Sequence, residues 1–237
     1  MDDSVRICVV VPTYNEKENV PSLVEATRQV GLPGLVMLFV DDSSPDGTAQ
    51  VISEISAREP WVRVLVRKSK LGIGSAYQDG FKEAIATQSP EILMEMDADL
   101  QHPPSAIPDL VKAVQEGADV AVGSRYVKGG SVPNWSLRRR AVSRVARGLA
   151  STLLGIPVKD STSGFRAYNR RAAEAVAQAD LPASGFEFQV ASLDLLKTRM
   201  KIVEVPYSFA PRTAGKSKLG FSDMVKFSVS VLRLALR

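Results

Sequence analysis

The chain has 237 residues, a formal net charge of +4 and a single cysteine, Cys8. That length suits one α/β domain with a sizeable core, and a lone cysteine excludes an internal disulfide and points to a reducing compartment. No apolar run approaches the ~18 residues that cross a bilayer, and Met1-Asp2-Asp3-Ser4 is acidic where a signal peptide is basic, so the expectation is a chain that is not integral to a membrane.

Ile7 to Val11 is a continuous β-branched run, as in a parallel strand covered on both faces, and Pro12-Thr13-Tyr14-Asn15-Glu16 ends it. Helical spacing follows over Asn19 to Val30 through Val20, Leu23, Val24 and Thr27. A second strand, Leu35 to Val40, runs into Asp41-Asp42-Ser43-Ser44-Pro45-Asp46-Gly47-Thr48, where Asp46 is placed to cap a helix carrying Ala49, Ile52 and Ile55. Val62 to Val66 reads as a third strand, Gly74 to Thr87 as a helix and Ile92 to Met96 as a fourth strand. Val111 and Val114 lie on the next helix, and Val120 to Val122 forms a fifth strand. Units this short predict a doubly wound, mostly parallel sheet with ligands at the strand carboxyl ends, where all these polar clusters fall.

Beyond Gly123 the alternation breaks. Arg138 to Leu154 reads as an amphipathic helix, with Val142, Val145, Ala146, Leu149, Leu153 and Leu154 largely opposite its arginines. A glycine-containing stretch, Ser163 to Tyr168, precedes a helix carrying Val190, Leu193, Leu195 and Leu196. Ile202 to Phe209 resembles a last strand, and Pro206 assigns it to an edge or a bulge. A basic loop and a helix from Ser222 close the chain. Arg138, Arg139, Arg140, Arg144 and Arg147 crowd one segment and Arg212, Lys216 and Lys218 another, which suits phosphates, a membrane surface or nucleic acid.

The densest chemistry is Asp97-Ala98-Asp99-Leu100-Gln101-His102-Pro103-Pro104. Were the segment extended, Asp97, Asp99 and Gln101 would share one face and offer three oxygen donors, the set that hard cations such as Mg²⁺ and Mn²⁺ take together with substrate phosphates. An acidic surface turn is the plainer alternative. Tyr14 and Glu16 stand where a ring could stack on a base and a carboxylate could bond a sugar or base edge, although turn chemistry also accounts for them. Asp42 sits where a carboxylate accepts bonds from a ribose or base, with Asp41 and Asp46 as rivals. Gly72-Ile73-Gly74 lacks the last glycine of a dinucleotide fingerprint and serves a turn. His102, the sole histidine, reads as structural.

Arg125, just past the fifth strand, faces the same crevice with a guanidinium suited to a leaving diphosphate, or else makes a surface ion pair. Arg212 and Lys218, on a loop with Gly215 and Gly220, read as a cationic flap or as a solvated basic loop.

In order along the chain, Val11 to Glu16, Val40 to Thr48, Asp97 to Pro104, Gly123-Ser124-Arg125-Tyr126-Val127-Lys128-Gly129-Gly130 and Asn134-Trp135 resemble the dolichol-phosphate mannose synthases, family 2 glycosyltransferases with the GT-A fold. The match continues through Ser163-Gly164-Phe165 and Val205-Pro206 to Lys218. The first segments and the acidic triplet are widespread in family 2, whereas Gln101, the Ser124 to Gly130 run and Asn134-Trp135 followed by arginine are narrower. The resemblance implies a single α/β domain in which Pro12, Tyr14, Glu16, Val40 and Asp42 hold the guanosine of GDP-mannose. It implies Mg²⁺ or Mn²⁺ on Asp97, Asp99 and Gln101 beside Ala98, and Arg125, Arg212 and Lys218 on the diphosphate or mannose. Arg139 and Ser143 would grip the phosphate of a polyprenyl (dolichyl) acceptor.

The implied reaction is inverting transfer of mannose to that phosphate. A phosphate monoester has a second pKa near ~6, so the nucleophile is already an anion and the task is electrostatic: joining two anions and steadying the leaving GDP. Some relatives carry transmembrane helices after the catalytic domain. This sequence shows none, and the expectation is peripheral attachment at the cytoplasmic face of a membrane, through residues 134–154 and 220–237 or through a small membrane-anchoring subunit. The alternatives are a family 2 enzyme using another sugar nucleotide, such as a polyprenyl-phosphate glucosyltransferase, and a non-catalytic subunit that binds nucleotide sugar or lipid. A nucleic-acid binder is set aside because no aromatic stacking surface accompanies the arginines.

Overall fold

The structure, a computed structural model, describes residues 5–133, 135–182 and 185–210, with 231, 232, 234 and 235 near the C-terminus. Strands β1 (Ile7–Thr13), β2 (Leu35–Asp41), β3 (Val62–Val66) and β4 (Ile92–Glu95) alternate with helices α1 (Val20–Arg28), α2 (Thr48–Ser56) and α3 (Ile73–Thr87). A 3-10 turn and α4 (Ile107–Gln115) lead to β5 (Val120–Ser124) and the long α5 (Leu137–Leu154). Then come β6 (Arg166–Asn169), α6 (Arg170–Gln178), α7 (Gly185–Leu196) and β7 (Ile202–Pro206).

The described strands form one seven-stranded sheet in the order β3-β2-β1-β4-β6-β5-β7. All pairs are parallel except those of β6, which runs against both β4 and β5. Neither β6 nor α6 is expected from the sequence. Arg-Ala-Tyr-Asn carries no apolar run, and it becomes a strand because two neighbouring strands offer it partners on both sides. Pro206 ends β7 at the sheet edge, where a missing N–H costs nothing.

Side chains alternate between two cores. Val9, Val11, Met37, Phe39 and Met94 pack against α1, α2 and α4. Val10, Val40, Leu93, Val120 and Val122 pack against Tyr77 and Phe81 of α3 and against α6 and α7. A Cβ at Gly80 would lie 2.4 Å from Val10 Cγ1, and one at Gly74 would lie 2.8 Å from the Phe188 ring. Glycine at both positions therefore lets α3 lie against the sheet and α7 at once, and Tyr77 falls midway between them on the same helix face.

On α5, Ala150 and Leu154 are buried, yet Leu137, Val145 and Leu153 are 83%, 59% and 41% exposed. The apolar side expected for this helix is thus only partly covered. Asn134, and almost all of the helix expected over 220–237, lie outside the described residues.

Candidate active site

The sheet order reverses direction between β1 and β4: the chain passes from β1 outward to β2 and β3, then returns to β4 on the other side. Such a switch leaves a crevice at the carboxyl ends of the two central strands. The Tyr14–Glu16 turn leaves β1 at this point and the acidic loop leaves β4.

The acidic loop is a turn and not an extended segment, so the alternation expected for Asp97, Asp99 and Gln101 does not apply. Leu100 adopts φ 62°, and Asp99 Oδ1 accepts from the Gln101 backbone N–H at 3.1 Å. The turn binds Asp99 to the Gln101 main chain and carries Asp97 at its start. Asp99 and Gln101 are largely buried, while the Asp97 side chain is 39% exposed. Ala98 packs into the core.

His102 closes the loop. Its Nδ1 accepts from the Asp97 backbone N–H at 3.0 Å, and its ring lies parallel to Phe165 at 5.0 Å. Burial lowers its pKa to about 4, so the ring is neutral near pH 7 and its 3.8 Å approach to Asp97 Oδ2 is no ion pair. From the opposite side the fully buried Tyr77 donates its hydroxyl to Asp97 Oδ1 at 3.2 Å. Behind the loop, Glu95 accepts from Tyr168 at 2.8 Å and Gln189 at 2.9 Å, and burial raises its pKa. The Gln101 carbonyl accepts from Ala210 N–H, which ties the segment after β7 to this turn.

Two carboxylates and an amide on one turn are oxygen donors of the kind Mg²⁺ and Mn²⁺ select. Among the described residues no group of three His, Cys, Asp or Glu side chains could hold a metal alone. A cation here would draw its remaining ligands from a phosphate-bearing substrate, as Mg²⁺ commonly does.

On the β2 side, Asp42 does not stand open to a nucleoside as expected. Arg67 places Nε at 2.6 Å and Nη2 at 2.5 Å from its Oδ1, with both side chains buried. Arg67 also reaches Ser75, Asp79 and the Gly72 carbonyl, which ties the end of β2 to the start of α3. Sequence reading passes over Arg67, although its place one residue beyond β3 puts it on the ligand-bearing edge. Asp41 is occupied by Thr13 and Ser44. Asp46 stands one residue ahead of the α2 cap position, Gly47, and accepts from Thr48 N–H at 3.0 Å.

Glu16 accepts from Asn19 at 2.7 Å, and the Lys70 ammonium lies 3.8 Å from the centre of the Tyr14 ring. A base stacking on that face would displace the lysine. Pro12 pairs in register with Val40. The Val40 side chain points into the core toward Gly80, so only its main chain could meet a nucleoside.

Arg125 likewise departs from expectation. Its Nε and Nη2 each lie 2.7 Å from the fully buried Asp160, and Asp160 Oδ2 also accepts from its backbone N–H. Burial opposes the charge, but Asp160 outweighs it and holds the guanidinium more firmly protonated than usual. Asp160 is placed in turn by Glu204, which accepts from the Lys159 and Asp160 N–H groups.

Next to it, Tyr126 and Ser143 share a 2.7 Å hydroxyl–hydroxyl bond under Arg147, whose guanidinium lies 3.6 Å from the Tyr126 ring centre. Arg139 is on α5, but its side chain is outside the described part, and Arg212 and Lys218 lie outside the described residues.

Residues 8–177 match the glycosyl transferase family 2 description. The polyprenol monophosphomannose synthase of Mycolicibacterium smegmatis is 38% identical over 98% of this chain and 88% of its own length. The dolichol-phosphate mannosyltransferase of Pyrococcus furiosus is 38% identical over 97% of this chain and 64% of its own length. The undecaprenyl-phosphate mannosyltransferase of Micrococcus luteus is 36% identical over 98% of this chain and 95% of its own length. Among solved structures, glucosyl-3-phosphoglycerate synthase from Mycobacterium tuberculosis in complex with Mn²⁺, UDP and glucosyl-3-phosphoglycerate superposes with a TM-score of 0.70 at 22% identity, covering 98% of this chain and 79% of that one. That likeness speaks to the fold. With the family match spanning most of the sheet and relatives similar from end to end, this chain belongs to glycosyl transferase family 2.

Proposed function

We propose that the protein transfers mannose from GDP-mannose to a polyprenyl (dolichyl) phosphate with inversion at the anomeric carbon. The observation that carries this reading is the acidic turn at the switch point between β1 and β4, in a chain whose relatives are named for mannosyl transfer to polyprenyl phosphates. An acceptor phosphate oxygen forms a bond to C1 of mannose as the bond from C1 to the GDP β-phosphate oxygen breaks, the electron pair leaving with GDP.

Proton abstraction adds little to such a step, because the phosphate is largely ionised above ~pH 6. That agrees with a site whose sole histidine is buried and neutral. Asp97, Asp99 and Gln101 would hold Mg²⁺ or Mn²⁺, which when bound offsets the charge of the leaving diphosphate. Pro12, Tyr14, Glu16, the Val40 main chain and Asp42 hold the guanosine, Asp42 with one oxygen already turned to Arg67. Asp160 takes Nε and Nη2 of Arg125, so a diphosphate would meet that guanidinium from its Nη1 side. Arg212 and Lys218 bring further positive charge to the diphosphate, and Arg139 with Ser143 binds the acceptor phosphate.

No described helix is long and apolar enough to cross a membrane. Exposed Leu137, Val145 and Leu153 beside exposed Arg140 and Arg144 suit α5 to lie on an anionic lipid surface, where the acceptor's tail resides. The test is radiolabelled transfer with purified protein, polyprenyl phosphate and either GDP-mannose or UDP-glucose. Mannosyl-phospholipid formed only from GDP-mannose is expected, and transfer from UDP-glucose alone would overturn the donor assignment.

A further inference from the structure

Asp97 is held from two sides, and one of its partners has no part in binding either substrate. We propose that Tyr77 is a positioning residue for the acidic turn: its hydroxyl, delivered from the buried face of α3 to Asp97 Oδ1 at 3.2 Å, sets the direction in which that carboxylate meets a divalent cation. The inference rests on the metal-site reading above and goes one step behind it.

A ring alone would satisfy the core here. Tyr77 is fully buried and stacks on Phe188 with centroids 6.0 Å apart, a place that phenylalanine would fill equally well. The hydroxyl is what distinguishes it, and its bond goes to a residue whose side chain is 39% exposed at the crevice.

Helix, ring and loop are placed by independent devices. Gly74 and Gly80 let α3 close on Phe188 and on Val10, while His102 fixes the Asp97 main chain through its N–H. Side chain and backbone of one candidate ligand are thus both anchored. Partners of ligating carboxylates commonly govern metal affinity in this way.

The experiment compares parent, Tyr77→Phe and Asp97→Ala by electron paramagnetic resonance of Mn²⁺ in the presence of GDP, alongside the Mn²⁺ dependence of mannosyl transfer. Tyr77→Phe should weaken Mn²⁺ binding roughly tenfold and raise the activating Mn²⁺ concentration by a similar factor, with the rate largely recovered at saturating metal. Unchanged Mn²⁺ affinity overturns the proposal, as does a fall in turnover that saturating metal does not relieve. If Tyr77→Phe does not fold, Tyr77→Met, which also removes the hydroxyl while filling the core with a flexible apolar chain, is read by the same two measures with the same meaning. Parent and Asp97→Ala binding Mn²⁺ alike would instead defeat the metal-site reading beneath it.

Discussion

Arg67 reaches across the ends of β2 and β3 to put two guanidinium nitrogens within 2.6 Å of one oxygen of Asp42, and both side chains are buried. The pair gives the β2 side of the crevice a carboxylate of fixed direction, joined through Ser75 and Gly72 to the helix that carries Tyr77. Removing one partner strands a buried charge. Arg67→Met should cost about 3 kcal/mol in denaturant unfolding and raise the KM for GDP-mannose, whereas a variant as stable as the parent would show that water reaches Asp42 freely.

Asp99→Ala should reduce mannosyl transfer about 10²-fold or more, the scale on which loss of a charge-stabilising group acts. Thermal unfolding without nucleotide should shift little by comparison. Full activity in the radiolabelled assay would remove Asp99 from the site.

Gly80→Ala inserts a methyl group against Val10 Cγ1 and Val40 Cγ2. Overpacking of this kind costs about 1–3 kcal/mol, and the strain lifts α3, carrying the Tyr77 hydroxyl from Asp97. Lower thermal stability and weaker Mn²⁺ binding should therefore appear together, and loss of stability alone would separate helix seating from the acidic turn.

Asp119 knots three strands at the end of the sheet opposite the crevice. It accepts from Asn169 at 2.6 Å and Lys201 N–H at 2.7 Å and pairs with Arg171 at 3.2 Å. Burial pushes its pKa up, but these bonds outweigh burial and lower it. The unfolded chain then takes up this proton first, so the contribution is whole above about pH 4 and is lost as pH falls through the lower folded value. Asp119→Asn should lower stability at pH 7 and flatten the acid limb of a stability–pH curve, with unchanged transfer activity. A parallel pair of curves would count against the assignment.

Val145→Asp with Leu153→Asp places charge on exposed apolar positions of α5. Flotation with anionic liposomes should fall several-fold while thermal stability holds, since neither side chain is buried. Equal flotation would direct attention away from α5.

Period and position made much of this architecture legible. Ile7 to Val11 and Leu35 to Val40 are apolar on consecutive residues because both faces of a central parallel strand are covered, and each ends in the polar residues that line the crevice, whereas Val62 to Val66, interrupted by Arg63, forms the sheet edge. Asp97, Asp99 and Gln101 were likewise visible as a donor set, because chemistry follows from residue type. The turn that carries them was not: it depends on Leu100 at φ 62° and on His102 folding back to Asp97, neither of which two-residue alternation expresses. Tertiary pairing alone decided that Arg166 to Asn169 is a strand and that Arg125 is matched by Asp160, 35 residues away in sequence. It also made Arg67 and Tyr77, which look ordinary in sequence, the supports of Asp42 and Asp97. Sequence determines which groups can ionise, donate or pack, since those are properties of single side chains. Which of them meet is set by contacts between distant segments, and these exist only once the two cores have closed on the sheet.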